Sequence, residues 1–195
     1  MGHVDADHWG RYNAAQAGRG IRLLARLAAE AAGPGEGRSA VELGCGAGRE
    51  AAFLADHGWL VQTFDADPTV VETIAELATD RAIEHTRARL QDLRELPSCD
   101  LVLACVSLPF VPRADFPALW GAVLRALRPG GVLAVDLFGD RDDWTAGDGT
   151  FLSRDEVDEL VTGLEVLRLH EEERDGPAFS GPKHWHTYQL VARRP

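Results

Sequence analysis

The stretch that most constrains this chain is Val41-Glu42-Leu43-Gly44-Cys45-Gly46-Ala47-Gly48-Arg49-Glu50. An apolar run, Ala40 to Leu43, stops at three alternating glycines, and a helix-forming segment from Arg49 to His57 follows at once. Strand, glycine turn and helix start in that order make a parallel βα unit. The glycines let the backbone bend sharply and lie close to a ligand with no Cβ in the way. Free N–H groups at the start of the next helix favour a negatively charged group. Glu42 stands two residues ahead of the first glycine, and Asp65 follows the next apolar run, Trp59 to Phe64. A carboxylate at that second strand end is placed to accept both hydroxyls of a ribose.

Further units repeat the strand-helix alternation. Asp67-Pro68 caps a helix expected to run to about Asp80. Ile83 to Leu90 mixes apolar and basic residues and reads as an exposed sheet edge ending at Gln91-Asp92-Leu93, while Asp100 to Cys105 is a buried central strand. Asp115 to Leu127 repeats apolar groups at helical spacing, with Trp120 in the core stripe, and Val132 to Phe138 is the fifth strand. Ser153-Arg154-Asp155-Glu156 is a capping box opening a helix to about Thr162. Leu164 to Glu173 and Lys183 to Ala192 are the last strands, joined by a turn-rich connector from Asp175 to Pro182. Ahead of the glycine turn, residues Asn13 to Ala32 form one helical stripe that Gly33-Pro34-Gly35 ends.

Composition narrows the classes of function. The 195 residues are expected to form a single domain, and 45% hydrophobic content is ordinary for a globular protein. A net charge of −11 repels polyanions, so no nucleic-acid partner is expected. No apolar run reaches the length of a membrane span, and the polar, acidic N-terminus does not read as a secretory signal. Three cysteines without a Cys-x-x-Cys pair argue against disulfides and zinc, and point to a reducing cytoplasm.

The Gly-x-Gly-x-Gly spacing, the preceding Glu42, the Leu127-Arg128-Pro129-Gly130-Gly131-Val132-Leu133 phrase and Lys183-His184-Trp185-His186 together resemble class I S-adenosylmethionine-dependent methyltransferases. Within that family the chain is most similar to the small bacterial tellurite-resistance type, from about Trp9 to Arg193. The resemblance implies a Rossmann-like α/β fold with helices on both faces of a seven-stranded, mostly parallel sheet. Its order would be 3-2-1-4-5-7-6, with strand seven antiparallel. Residues 1–35 would cover the cofactor site and residues 139–150 would form a substrate loop.

The implied cofactor set is Glu42, Gly44, Cys45 and Gly46 at the turn, Asp65 with Ala66, Asp92 with Leu93 at the adenine, and Cys105 at the fourth strand end. Tyr12 and Arg19 complete it, with Arg19 near the methionine carboxylate. Phe110, Trp144, Arg141 and Trp185 are the candidate acceptor-binding residues. Ser107-Leu108-Pro109-Phe110 lacks the Asn or Asp before Pro-Pro-Tyr used on amide or adenine nitrogens, which argues against those acceptors. His184 and His186 are the candidate bases, with Asp140 orienting them. No metal site is expected, since the His and Asp residues show no ligand spacing. The expected activity is methyl transfer to a small-molecule acceptor, by a monomer or homodimer. A non-methylating cyclisation or elimination, or a non-catalytic S-adenosylmethionine-binding role, is the alternative.

Overall fold

The structure is a computed structural model that describes residues 6–195; the first five residues, part of the expected covering segment, lie outside the described residues. Its sheet follows the path β3-β2-β1-β4-β5-β8-β7. β1 (Ser39–Leu43), β2 (Leu60–Asp65), β3 (Ile83–Arg87), β4 (Cys99–Ala104) and β5 (Leu127–Gly139) run parallel. β8 (Gly181–Arg193) pairs antiparallel with β5, and β7 (Glu165–Ala178) closes the edge against β8. The sheet has eight strands and not seven: the two-residue β6 (Phe151–Leu152) adds parallel to the end of β5. Setting β6 aside, the expected strand order and antiparallel member hold.

Helices cover both faces because the central strands are apolar on both. α2 (Leu23–Ala32), α3 (Arg49–Asp56) and α4 (Val70–Leu77) bury Ala25, Ala28, Leu54 and Ile74 against Ala40, Val61, Leu101 and Val132. α5 (Phe116–Ala126) and α6 (Arg154–Leu160) bury Leu119, Trp120, Val123 and Val157 against Val41, Val102, Leu133 and Val135. Trp120 is core, stacked on Phe116 at 5.8 Å. α6 starts at the expected capping box: Glu156 N–H donates to Ser153 Oγ, and Ser153 N–H donates to Glu156 Oε2 at 2.8 Å.

Two segments differ from expectation. The stripe from 13 to 32 is two helices, α1 (Ala6–Gln16) and α2, separated around Gly18, Arg19 and Gly20. Glu50 draws that break inward by accepting from the Arg19 guanidinium and from Arg22 N–H. The connector expected over 175–182 is mostly strand. β7 and β8 stay in register out to Ala178 and Gly181, leaving only Phe179 and Ser180 at the hairpin tip. Pro177 and Pro182 lie opposite each other there, so their missing N–H groups fall together in the ladder.

Candidate active site over the strand ends

A cleft of about 480 Å³ opens over the C-terminal ends of the parallel strands. Its floor is the glycine turn. Gly44 (φ 75°) and Gly46 (φ 49°) hold left-handed backbone that side chains resist. A Cβ on Gly44 would also collide with Ser107, whose hydroxyl donates to Leu43 O at 2.5 Å. Asp65 fixes the bend: Oδ2 accepts from Gly46 N–H and Oδ1 from Asp67 N–H, both at 2.9 Å. Each carboxylate oxygen keeps a further lone pair, and Asp65 lines the cleft. Asp67, itself buried, accepts from Asn13 Nδ2 at 2.7 Å, which ties α1 down across the turn.

Beside the turn lies a charged cluster. Arg19 grips Glu50 with both terminal nitrogens at 2.6 and 2.5 Å. Burial pushes the Glu50 carboxyl up, but the hydrogen bonds from Arg19 and from Arg22 N–H outweigh it and hold it below the usual range. Arg22 donates to the Tyr12 hydroxyl at 3.0 Å. Arg19, Arg22, Tyr12 and Glu50 all line the cleft, and the Nε atoms of both arginines are buried with no hydrogen-bond partner among the described residues. Glu42 lies behind the wall, fully buried with Oε2 unpartnered, and burial holds its carboxyl well above the ordinary value. Cys45 and Cys105 line the cleft as thiols that burial keeps protonated.

At the third strand end the expected residues give way to their neighbours. Leu90 to Asp92 forms a 3-10 turn that sends the Asp92 carboxylate out to Arg89 Nε at 2.8 Å, while Leu93 packs against the core. Ala66 lines the cleft, as do Arg89, Leu90 and Gln91.

The far end of the cleft is aromatic. Phe110, Trp144 and Trp185 line it with Trp9 and Tyr12 of α1 and Phe179 of the hairpin tip. Trp9 meets Phe110 edge-on at 4.9 Å, and Trp144 meets Trp185 at 5.4 Å. Behind the two indoles sits Lys183, its Nζ 3.7 Å from the Trp144 centroid and 4.0 Å from that of Trp185. Lys183 is bonded to Asp142, a buried carboxylate that also accepts from the backbone N–H groups of Trp144 and His186. Burial lowers the Lys183 pKa, and Asp142 opposes that shift.

Residues 40–131 match a family model described as a methyltransferase domain. The chain carries a methyltransferase domain. It is of the class I, S-adenosylmethionine-dependent kind, and the residues it matches include the glycine turn, Asp65 and the fourth strand end. Among curated relatives, a trans-aconitate 2-methyltransferase of Mycobacterium tuberculosis is 31% identical over 121 residues, 60% of this chain. The chain spans only 42% of that relative's length. The crystal structure of TehB from Haemophilus influenzae superposes with a TM-score of 0.80 at 18% identity, covering 97% of this chain and 67% of that one. The N-methyltransferase NodS from Bradyrhizobium japonicum, solved with S-adenosylhomocysteine, gives 0.69 at 14% identity, covering 96% and 98%. These two likenesses concern the fold.

The histidines expected as bases do not reach the cleft. His186 is completely buried on the opposite face of β8, its ring against Gly139 and Tyr188. Its Nδ1 accepts from Arg141 N–H at 3.2 Å, which leaves Nε2–H to donate to Glu171 at 3.0 Å. His184 lies between Asp175 and Glu173, and their hydrogen bonds raise its pKa. Asp140 is exposed beside Arg141, and Arg141 itself pairs with Glu171 and Glu173, away from the cleft. The pleat decides this: Lys183 and Trp185 take the cleft side, so His184 and His186 take the other. Sequence reasoning missed Glu50, Arg22, Asn13, Asp67 and Lys183. An acid in the first turn after the glycines and an Asn on the face of α1 were the available signals.

Proposed function

We propose that this chain transfers a methyl group from S-adenosylmethionine to a small-molecule acceptor. The reading extends to a cytoplasmic enzyme that works as a monomer or homodimer. The observation that carries it is the glycine turn braced by Asp65 beneath a cleft with two unpartnered arginine Nε atoms. Those residues fit the group. Asp65 would take the ribose hydroxyls on its free lone pairs, and Gly44 and Gly46 leave room beneath the ligand. Arg19 and Arg22 would meet the carboxylate, and Leu90 and Gln91 would flank the base. When bound, S-adenosylmethionine supplies an activated methyl carbon and a neutral thioether leaving group. The protein's own part is positional. The floor fixes the donor, the aromatic wall orients the acceptor, and α1 with the hairpin tip keeps water out. Calorimetric titration with S-adenosylhomocysteine tests the donor half, with saturable binding expected. A folded protein that takes up none of it would end this reading.

A further inference from the structure

We infer that the acceptor is a flat arene whose nucleophilic sulfur or oxygen arrives already ionised, and that quaternary ammonium compounds and aliphatic polycarboxylates are refused. The inference rests on the methyl-transfer reading and names its substrate class.

Three observations converge on it. First, the acceptor end is walled by Trp9, Phe110, Trp144 and Trp185, while the acidic residues that line the cleft, Glu50, Asp65 and Asp67, belong to the glycine-turn end. Rings packed edge-on and tilted against one another present an aromatic wall that another ring can lie against.

Second, the wall is polarised from behind. Lys183 and Asp142 form a neutral buried pair whose positive end lies against both indoles. An ammonium already on those rings draws their π density toward it and weakens their pull on a second cation. The same polarisation favours an electron-rich or anionic ring on the cleft side. A polycarboxylate would instead need several guanidinium groups at the aromatic end, and the arginines lining the cleft are engaged elsewhere. Arg19 and Arg22, bonded to Glu50 and Tyr12, are the ones assigned to the donor's carboxylate, and Arg89 pairs with Asp92.

Third, among the described residues no base is positioned at that wall. His184, His186 and Asp140 are elsewhere, and among the described residues the one imidazole lining the cleft, His8, rests edge-on against Phe179 with no carboxylate bonded to it. The attacking atom must therefore bring its own free lone pair. The balance closes without a proton: the arene sulfur or oxygen forms its bond to the methyl carbon, and the carbon–sulfonium bond breaks with its electron pair retained on sulfur.

Equilibrium dialysis of the wild-type protein saturated with S-adenosylhomocysteine tests this with four probes: 4-nitrothiophenol, 4-nitrophenol, trimethylphenylammonium and trans-aconitate. The expected result is that at least one of the two ionised arenes binds tenfold or more tighter than both the cation and the tricarboxylate. Whichever binds also gives its methyl thioether or methyl ether when S-adenosylmethionine replaces the product. Lys183→Met should narrow the arene-to-cation ratio at least fivefold; Trp144→Ala, which leaves the ion pair intact, should weaken both ligands together. Equal or tighter binding of the cation or of trans-aconitate overturns the inference, as does methylation that depends on His8. Because S-adenosylhomocysteine uptake is measured separately, failure of the acceptor class is distinguishable from failure of the methyl-transfer reading.

Discussion

The glycine-turn side and the strand-five side of the cleft are built on different principles. The first is held by directional hydrogen bonds to backbone: Asp65 to Gly46 and Asp67, Ser107 to Leu43, and Asn13 to Asp67. The second is held by packed rings around one buried ion pair, Lys183 and Asp142. Hydrogen-bonded turns tolerate little change in shape, so they suit a ligand that never varies. Ring packing is non-directional and can be re-cut by single substitutions, so it suits a ligand that differs between relatives.

Substitutions can break that contrast. The largest effect is expected at Gly139, where any Cβ would fall inside the His186 ring. Gly139→Ala should cost about 3 kcal/mol by overpacking, read by urea unfolding, with S-adenosylhomocysteine affinity retained. Loss of that affinity would mean the two sides are mechanically one. Next comes Asp65→Ala, which removes two backbone hydrogen bonds and should weaken S-adenosylhomocysteine by about 2 kcal/mol. Unchanged calorimetric affinity would take Asp65 out of the site.

A smaller effect concerns Asp136, which lies between the two sides on β5. Burial lifts its pKa from 3.8 to about 6, against hydrogen bonds from Gln189 and Val106 N–H. The folded chain then binds that proton more tightly than the unfolded chain. The stability this contributes is full below the unfolded value of 3.8 and is lost as pH rises through about 6. Relative to Asp136→Asn, the wild type should lose about 2 kcal/mol between pH 4 and pH 7. Parallel pH curves for the two proteins would remove Asp136 as the source. The smallest effect sharpens the contrast. Asp92→Ala, on an exposed pair with Arg89, should leave S-adenosylhomocysteine affinity within about 0.5 kcal/mol. A tenfold loss would return Asp92 to the cofactor.

The same contrast explains what could be read in the chain. The glycine turn and Asp65 were legible because the constraint is local: left-handed backbone demands glycine, and the second strand end falls at a fixed reach from the first. The capping box of α6 was legible for the same reason. The aromatic side was not, because period two pairs His184 with His186, and Lys183 with Trp185, without saying which pair faces the cleft. The register of β8 on β5 decides it, with Thr187 opposite Phe138 and Tyr188 opposite Leu137. Choosing histidines for their chemistry picked the wrong side of the pleat. Asp92 is turned toward Arg89 by a single 3-10 turn, which the sequence 90–93 does not announce.

The hairpin joining β7 to β8 carries a further consequence. Phe179 at its tip rests on Tyr12 at 5.6 Å and on His8 at 5.5 Å, so an early helix and a late loop meet above one opening. Molecules entering or leaving pass beside that seam. Substitutions at those two aromatic edges would change how fast a spent donor leaves while the glycine floor stays as it is.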